Sequence, residues 1–124
     1  MADRALASAF LRMMPDDGEP IEMSGMSQLL NLAGGNYIHK TQATSGSANT
    51  ATQLDLGAVS TPGLAIFRNL SATEYVEIRA GAAGADVLKL KAGDVQVFRF
   101  TGDCVPWVIS DATSVPIEYL ILND

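Results

Sequence analysis

From about residue 54 to the C-terminus the chain is divided into short apolar runs by Gly, Pro, Ser, Thr and Asp, and no helical crossover separates the runs. Leu54 to Val59 ends at Thr61-Pro62-Gly63. Leu64 to Leu70 ends at Ser71-Ala72-Thr73, and Glu74 to Arg79 ends in the small-residue stretch from Gly81 to Ala85. Val87 to Lys91 alternates, with Leu88 and Leu90 on one side and Lys89 and Lys91 on the other. Period-two alternation is the mark of a strand buried on one face. Ala92-Gly93-Asp94 is a tight connection in which glycine adopts positive φ at little cost, and Val95 to Phe100 is expected to return as the partner strand. Gly102-Asp103 turns again, Val105 to Ile109 is extended, and Pro116 to Leu122 is the last strand. Turn signals spaced by roughly 8–12 residues, without helices between them, predict a sandwich and not an α/β fold.

Upstream, Tyr37 to Thr41 reads as a strand after the turn Gly34-Gly35-Asn36, and Ala43 to Thr52 as a loop. Ile21 to Ala33 suits either a short helix or a strand. Ala2, Ala5, Leu6, Ala9, Phe10 and Met13 recur at spacings of three and four, which predicts a helix over the first fourteen residues. Pro15 stops it, and Asp16-Asp17-Gly18-Glu19-Pro20 is a polar linker. The expected organisation is therefore a helical arm and linker over 1–20 and a β-sandwich domain over 21–124. A helix of this length is marginal alone, so its stripe, with Leu6, Phe10 and Met13, must dock on its own domain or on a neighbour. Ile117, Tyr119 and Ile121 share one face of the last strand while Leu120 and Leu122 share the other, so this strand calls for cover on both sides. Tyr119 and Ile121 are accordingly candidate contact residues in an assembly.

The 124 residues suffice for one core, and an apolar fraction of 48% is ordinary for a globular chain. The net charge of −6, with no local cluster of Lys or Arg, repels phosphate backbones and argues against direct nucleic-acid binding. No apolar run reaches the roughly 20 residues of a membrane helix, and Ala5 to Leu11 lacks the basic leader and cleavage site of a signal peptide. Synthesis in the cytoplasm is expected. The Asn69-Leu70-Ser71 triplet then matches the glycosylation pattern by chance.

The residues for chemistry are sparse. His39 and Cys104 are single representatives of their types, so no zinc pattern exists and no intrachain disulfide can form. Asp94, Asp103 and Asp111 lie at turns, where Asp is favoured by local hydrogen bonding. There is no Gly-x-Ser-x-Gly elbow, and Gly81-Ala82-Ala83-Gly84 leads into a strand and not into a phosphate-binding helix. Neither an enzyme, a metal site nor a cofactor is expected. Trp107, Tyr37 and Tyr75 are the only hints of a carbohydrate-binding module.

Leu88-Lys89-Leu90-Lys91-Ala92-Gly93-Asp94, with Val95 and Phe98, resembles the strand-turn-strand of cupins, without the histidines that hold their metal. Three segments resemble small structural proteins of tailed-bacteriophage virions. They are Thr61-Pro62-Gly63 through Phe67 to Ile78, Leu88 to Asp94 with Phe98-Arg99, and Glu118 to Asp124; Tyr37 to Gln42 is similar to the usual opening strand. The resemblance covers Tyr37 to Asp124. It implies an all-β antiparallel sandwich of jelly-roll type, here with an N-terminal helical extension. It also implies a capsid decoration (cement) protein on the virion surface, bound to the major capsid protein as a homotrimer. A tail, fibre or baseplate component and a carbohydrate-binding or cupin-like module are the alternatives.

Overall fold

The computed structural model describes residues 4–8, 10–13, 18–24, 28–31, 36–101 and 104–124. The chain forms two compact units, Met1–Gly35 and Asn36–Asp124. Pro15, Asp16 and Asp17 of the linker, the Gly34-Gly35 turn and the Gly102-Asp103 turn lie outside the described residues.

The first unit holds four short strands, β1 (Arg4–Ala7), β2 (Phe10–Met13), β3 (Ile21–Ser24) and β4 (Gln28–Asn31). β2 pairs antiparallel with β3, and β1 with β4, which is the nested pairing of a long hairpin. The N-terminal helix predicted from spacing is thus corrected: its described residues, Leu6, Phe10 and Met13 among them, are in strands. The register supplies the physical reason. Ala5 faces Leu30, Leu6 faces Leu29, Leu11 faces Met23 and Met13 faces Ile21, so four apolar positions have an apolar partner across the ladder. Cross-strand pairs of this kind stabilise a ladder, whereas a solitary helix of three or four turns has nothing to offset its nucleation cost. The boundary expected at residue 20 also moves, to Gly35, because β3 and β4 are the partners of β2 and β1.

The second unit contains β5 (Tyr37–Ala43), β6 (Thr52–Gln53), β7 (Pro62–Asn69), β8 (Val76–Arg79), β9 (Asp86–Leu90), β10 (Val95–Arg99), β11 (Trp107–Ile109) and β12 (Pro116–Asn123). They form two antiparallel four-stranded sheets, ordered β10-β7-β12-β5 and β6-β11-β8-β9. The pairing is nested: β5 with β12, β6 with β11, β7 with β10 and β8 with β9. The hairpin expected between β9 and β10 is absent, because the two strands belong to different sheets. Their connection is a turn in which the Asp94 amide donates to the Lys91 carbonyl at 3.0 Å, with Gly93 at φ 78°. Its polar ends are tied by the Lys91 amide donating to Asp94 Oδ2. This turn carries the chain from one sheet to the other.

Inward-facing side chains of the two sheets make one core. β12 contributes Ile117, Tyr119 and Ile121, β7 contributes Ala65 and Phe67, and Val76, Ile78, Leu90 and Val108 come from the other sheet. Each large aliphatic or aromatic side chain so buried adds on the order of 1.5–3 kcal/mol. Phe67 stacks on Phe98 and Tyr119 at centroid distances of 5.1 and 5.7 Å, with Phe100 edge-on to both Phe67 and Phe98. Tyr119 and Ile121 are therefore corrected from contact residues to core residues, at 1% and 0% exposure. Their face of β12 is completed by the opposite sheet of the same chain.

Burying Tyr119 requires a partner for its hydroxyl, which donates to the Asp55 carbonyl at 2.7 Å and lies 3.1 Å from Gln42 Oε1. Burial, then the nearby Asp55 carboxylate, push this phenol up to about 12. A raised phenol favours the neutral form in the fold. Its contribution is whole below the unfolded value of 10.0 and is lost as pH rises from there through the folded value. Thermal melts at pH 9, 11 and 12 should show stability falling across this window. The fall should be shallower in Tyr119→Phe; equal slopes for the two proteins would contradict the assignment.

Candidate functional site

The alternation that buries Tyr119 turns Glu118, Leu120 and Leu122 outward on the β10-β7-β12-β5 sheet, where all three are half-buried. Cross-strand register sets their neighbours. His39, Leu120, Ile66 and Val97 form one row across all four strands, and Thr41, Glu118, Arg68 and Val95 form the next. Tyr37 faces Leu122, and Arg99 faces Leu64, toward the other end of the sheet. Ile66, Val95, Val97 and Tyr37 are all exposed, at 37 to 63%. Apolar surface thus runs across a sheet whose other side is already committed to the core.

The charges on this face are paired. Glu118 Oε2 lies 3.0 Å from His39 Nε2, and its Oε1 lies 3.7 Å from Arg68 Nη1. Arg99 pairs with Asp124 at the other end. Between the rows lies an open groove of about 240 Å³, lined by His39, Ile66, Arg68, Val95, Glu118, Tyr119 and Leu120. That is smaller than the roughly 300–1,000 Å³ of small-molecule sites. The surface suits docking of a broad, flat partner.

The first unit carries a second exposed apolar feature. Leu11 and Met23 are cross-strand partners in β2 and β3, with 76% and 81% of their surfaces exposed. The side chains of Leu6, Phe10 and Met13 lie outside the described features, although their backbone positions in β1 and β2 are set.

The other sheet is polar on its outer side. Arg79 pairs with Asp86, which holds the Asp86 carboxyl below its ordinary range. Glu77 is pushed up, first by burial and then by its hydrogen bond with Asp86. Lys89 Nζ sits 4.0 Å from the centre of the Tyr75 ring, covering one of its faces. Trp107 stands opposite Arg79 and is half-buried. Tyr37 belongs to the opposite sheet, so the three aromatic residues nominated for sugar stacking are not brought together.

His39 is exposed and hydrogen-bonded to Glu118, and the half-buried Cys104 thiol is pushed up by burial. Among the described residues, no three His, Cys, Asp or Glu side chains gather as a metal ion requires. Also among these residues, no helix is long and apolar enough to cross a membrane. Asn69 is buried, with its Nδ2 donating to the carbonyls of Glu74 and Leu90, so the glycosylation-like triplet offers no free amide in the fold.

Neither Ile66, Val95 nor Val97 was singled out from sequence. The signal was present in β10, where Val95 and Val97 alternate with Phe98, so the strand is apolar on both faces as β12 is. No family model matches the chain, no curated protein matches it, and no solved structure matches its fold.

Proposed function

We propose that this chain is a structural subunit of a tailed-bacteriophage particle, acting as a capsid decoration protein that binds the major capsid protein. The observation that carries the reading is apolar surface in excess of a finished core. The sandwich closes on Phe67, Tyr119 and their neighbours, yet Leu11 and Met23 remain exposed as a pair on a two-stranded ladder. Two-stranded hairpins are marginal in water unless something covers them. A docking arm is the simplest use of such an element. The nested pairing of the eight strands of the second unit supports a jelly roll, an architecture found in viral capsid, lectin and cupin domains. The resemblance of Tyr37 to Asp124 to phage virion proteins favours the first of these. No reactive constellation competes with the reading among the described residues.

The test is a binding assay with purified particles. The Leu11→Asp/Met23→Asp double variant should keep the wild-type melting temperature within a few degrees, since both side chains are exposed. It should bind particles at least about tenfold more weakly, a loss of roughly 1.4 kcal/mol or more. Undiminished binding would remove the arm. Mass spectrometry of separated heads and tails supplies the other arm of the test: recovery with heads supports decoration, and recovery with tails alone would make the chain a tail component.

A further inference from the structure

We infer that the outer face of the β10-β7-β12-β5 sheet is where a second copy of this chain packs, face to face about a two-fold axis. The inference deepens the reading above by naming the partner of this surface, and it rests on that reading only in treating the chain as an assembling subunit. Charge carries the choice of occupant. The whole chain is at −6, so two copies repel one another over most of their surfaces. The ion pairs of this face are balanced: Arg68 with Glu118 toward one end, Arg99 with Asp124 toward the other. It is therefore a surface on which two identical acidic molecules can meet without bringing net charge together.

The pattern is also self-complementary, as a two-fold contact requires. The row His39, Leu120, Ile66, Val97 lies between the two charged pairs. A two-fold axis lying in the interface along that row sets the apolar band of one copy on that of the other. It also brings the Arg68–Glu118 end of one copy toward the Arg99–Asp124 end of its mate, so cations approach anions. A strongly basic or strongly acidic partner would find no excess of opposite charge here.

Area sets the strength. Four strands about 4.8 Å apart and roughly 20 Å long give a face of about 400 Å² per copy. That falls below the roughly 800 Å² per partner of a stable interface, so the contact is reversible and depends on concentration. Subunits held side by side on a particle would meet at high effective concentration, where a weak contact suffices.

Sedimentation equilibrium of the full chain from low micromolar to near-millimolar concentration tests this. The expected result is a monomer–dimer equilibrium that changes little between low and high salt, because the face is neutral. Ile66→Glu should weaken dimerisation about tenfold or more by placing an unpaired charge in the contact. Val97→Glu, at the more open edge of the sheet, should do the same, and is the check if Ile66→Glu lowers the melting temperature. A chain that stays monomeric throughout overturns the inference, as does a dimer unaffected by both substitutions in folded protein. A trimer that survives both would also overturn it. Leu11→Asp/Met23→Asp should leave the dimer intact. Loss of particle binding in that double variant with dimerisation unchanged, or the reverse in Val97→Glu, separates a failure of one reading from a failure of the other.

Discussion

Phe67→Ala is expected to cost about 3–5 kcal/mol of unfolding free energy, the largest loss of any single truncation discussed. Phe67 is fully buried and touches three other rings, from β10, β12 and the segment after β10. Removing it takes away the transfer energy of one ring and also the stacking of Phe98 and Tyr119 against it. Both strands flanking β7 in its sheet then face a cavity. Urea denaturation followed by circular dichroism would measure the loss as a lower midpoint. A midpoint unchanged within error would mean that the aromatic cluster does not anchor the sandwich. Phe67→Leu should lose less, because most of the volume is retained.

The second large effect is expected at Asn69, a buried polar residue at the end of β7. Its Nδ2 donates to the Glu74 carbonyl at 2.8 Å and the Leu90 carbonyl at 3.1 Å, and its Oδ1 accepts from the Ser71 amide at 2.9 Å. Three connections are thus tied by one side chain: the turn after β7, the entry to β8 and the end of β9. Asn69→Ala leaves two carbonyls and an amide without these partners, at an expected cost of about 2–4 kcal/mol. Asn69→Asp isolates the part played by donation. It keeps the acceptor for Ser71 but loses both donated bonds and buries a charge, so it should be at least as damaging as alanine at neutral pH. An aspartate variant as stable as wild type would show that the two carbonyls find other donors.

Much of the sandwich was legible because its strands obey simple alternation. Val76 and Ile78 point inward while Glu77 and Arg79 point outward, and Leu88 and Leu90 oppose Lys89, as the sequence pattern requires. What alternation does not encode is which strand pairs with which. Leu88 to Phe100 reads equally well as a hairpin or as a crossing between sheets. The choice is made by Phe98, which packs beside Phe67 of the other sheet and not beside Leu90's neighbours on β8. The N-terminal segment misled for a related reason. Spacings of three and four among Ala5, Leu6, Phe10 and Met13 are compatible with a helix, but the deciding partners lie in Ile21 to Leu30, whose own pattern was ambiguous. The candidate surface was half visible. Leu120 and Leu122 announced a strand needing cover on two sides, and the assignment of sides placed Tyr119 and Ile121 within the core.

The nested pairing also governs when this sandwich can form. β12 lies between β5 and β7, so the last strand to leave the ribosome is interior to its sheet and carries Ile117, Tyr119 and Ile121 into the core. Until it emerges, β5 has no partner in the sheet and Phe67 lacks one of its rings. Folding must await a distant contact, a topology associated with slow acquisition of structure and prolonged exposure of apolar strands. A nascent chain stalled before Pro116 would consequently be prone to coaggregate, and chaperone retention of such intermediates follows from strand order alone.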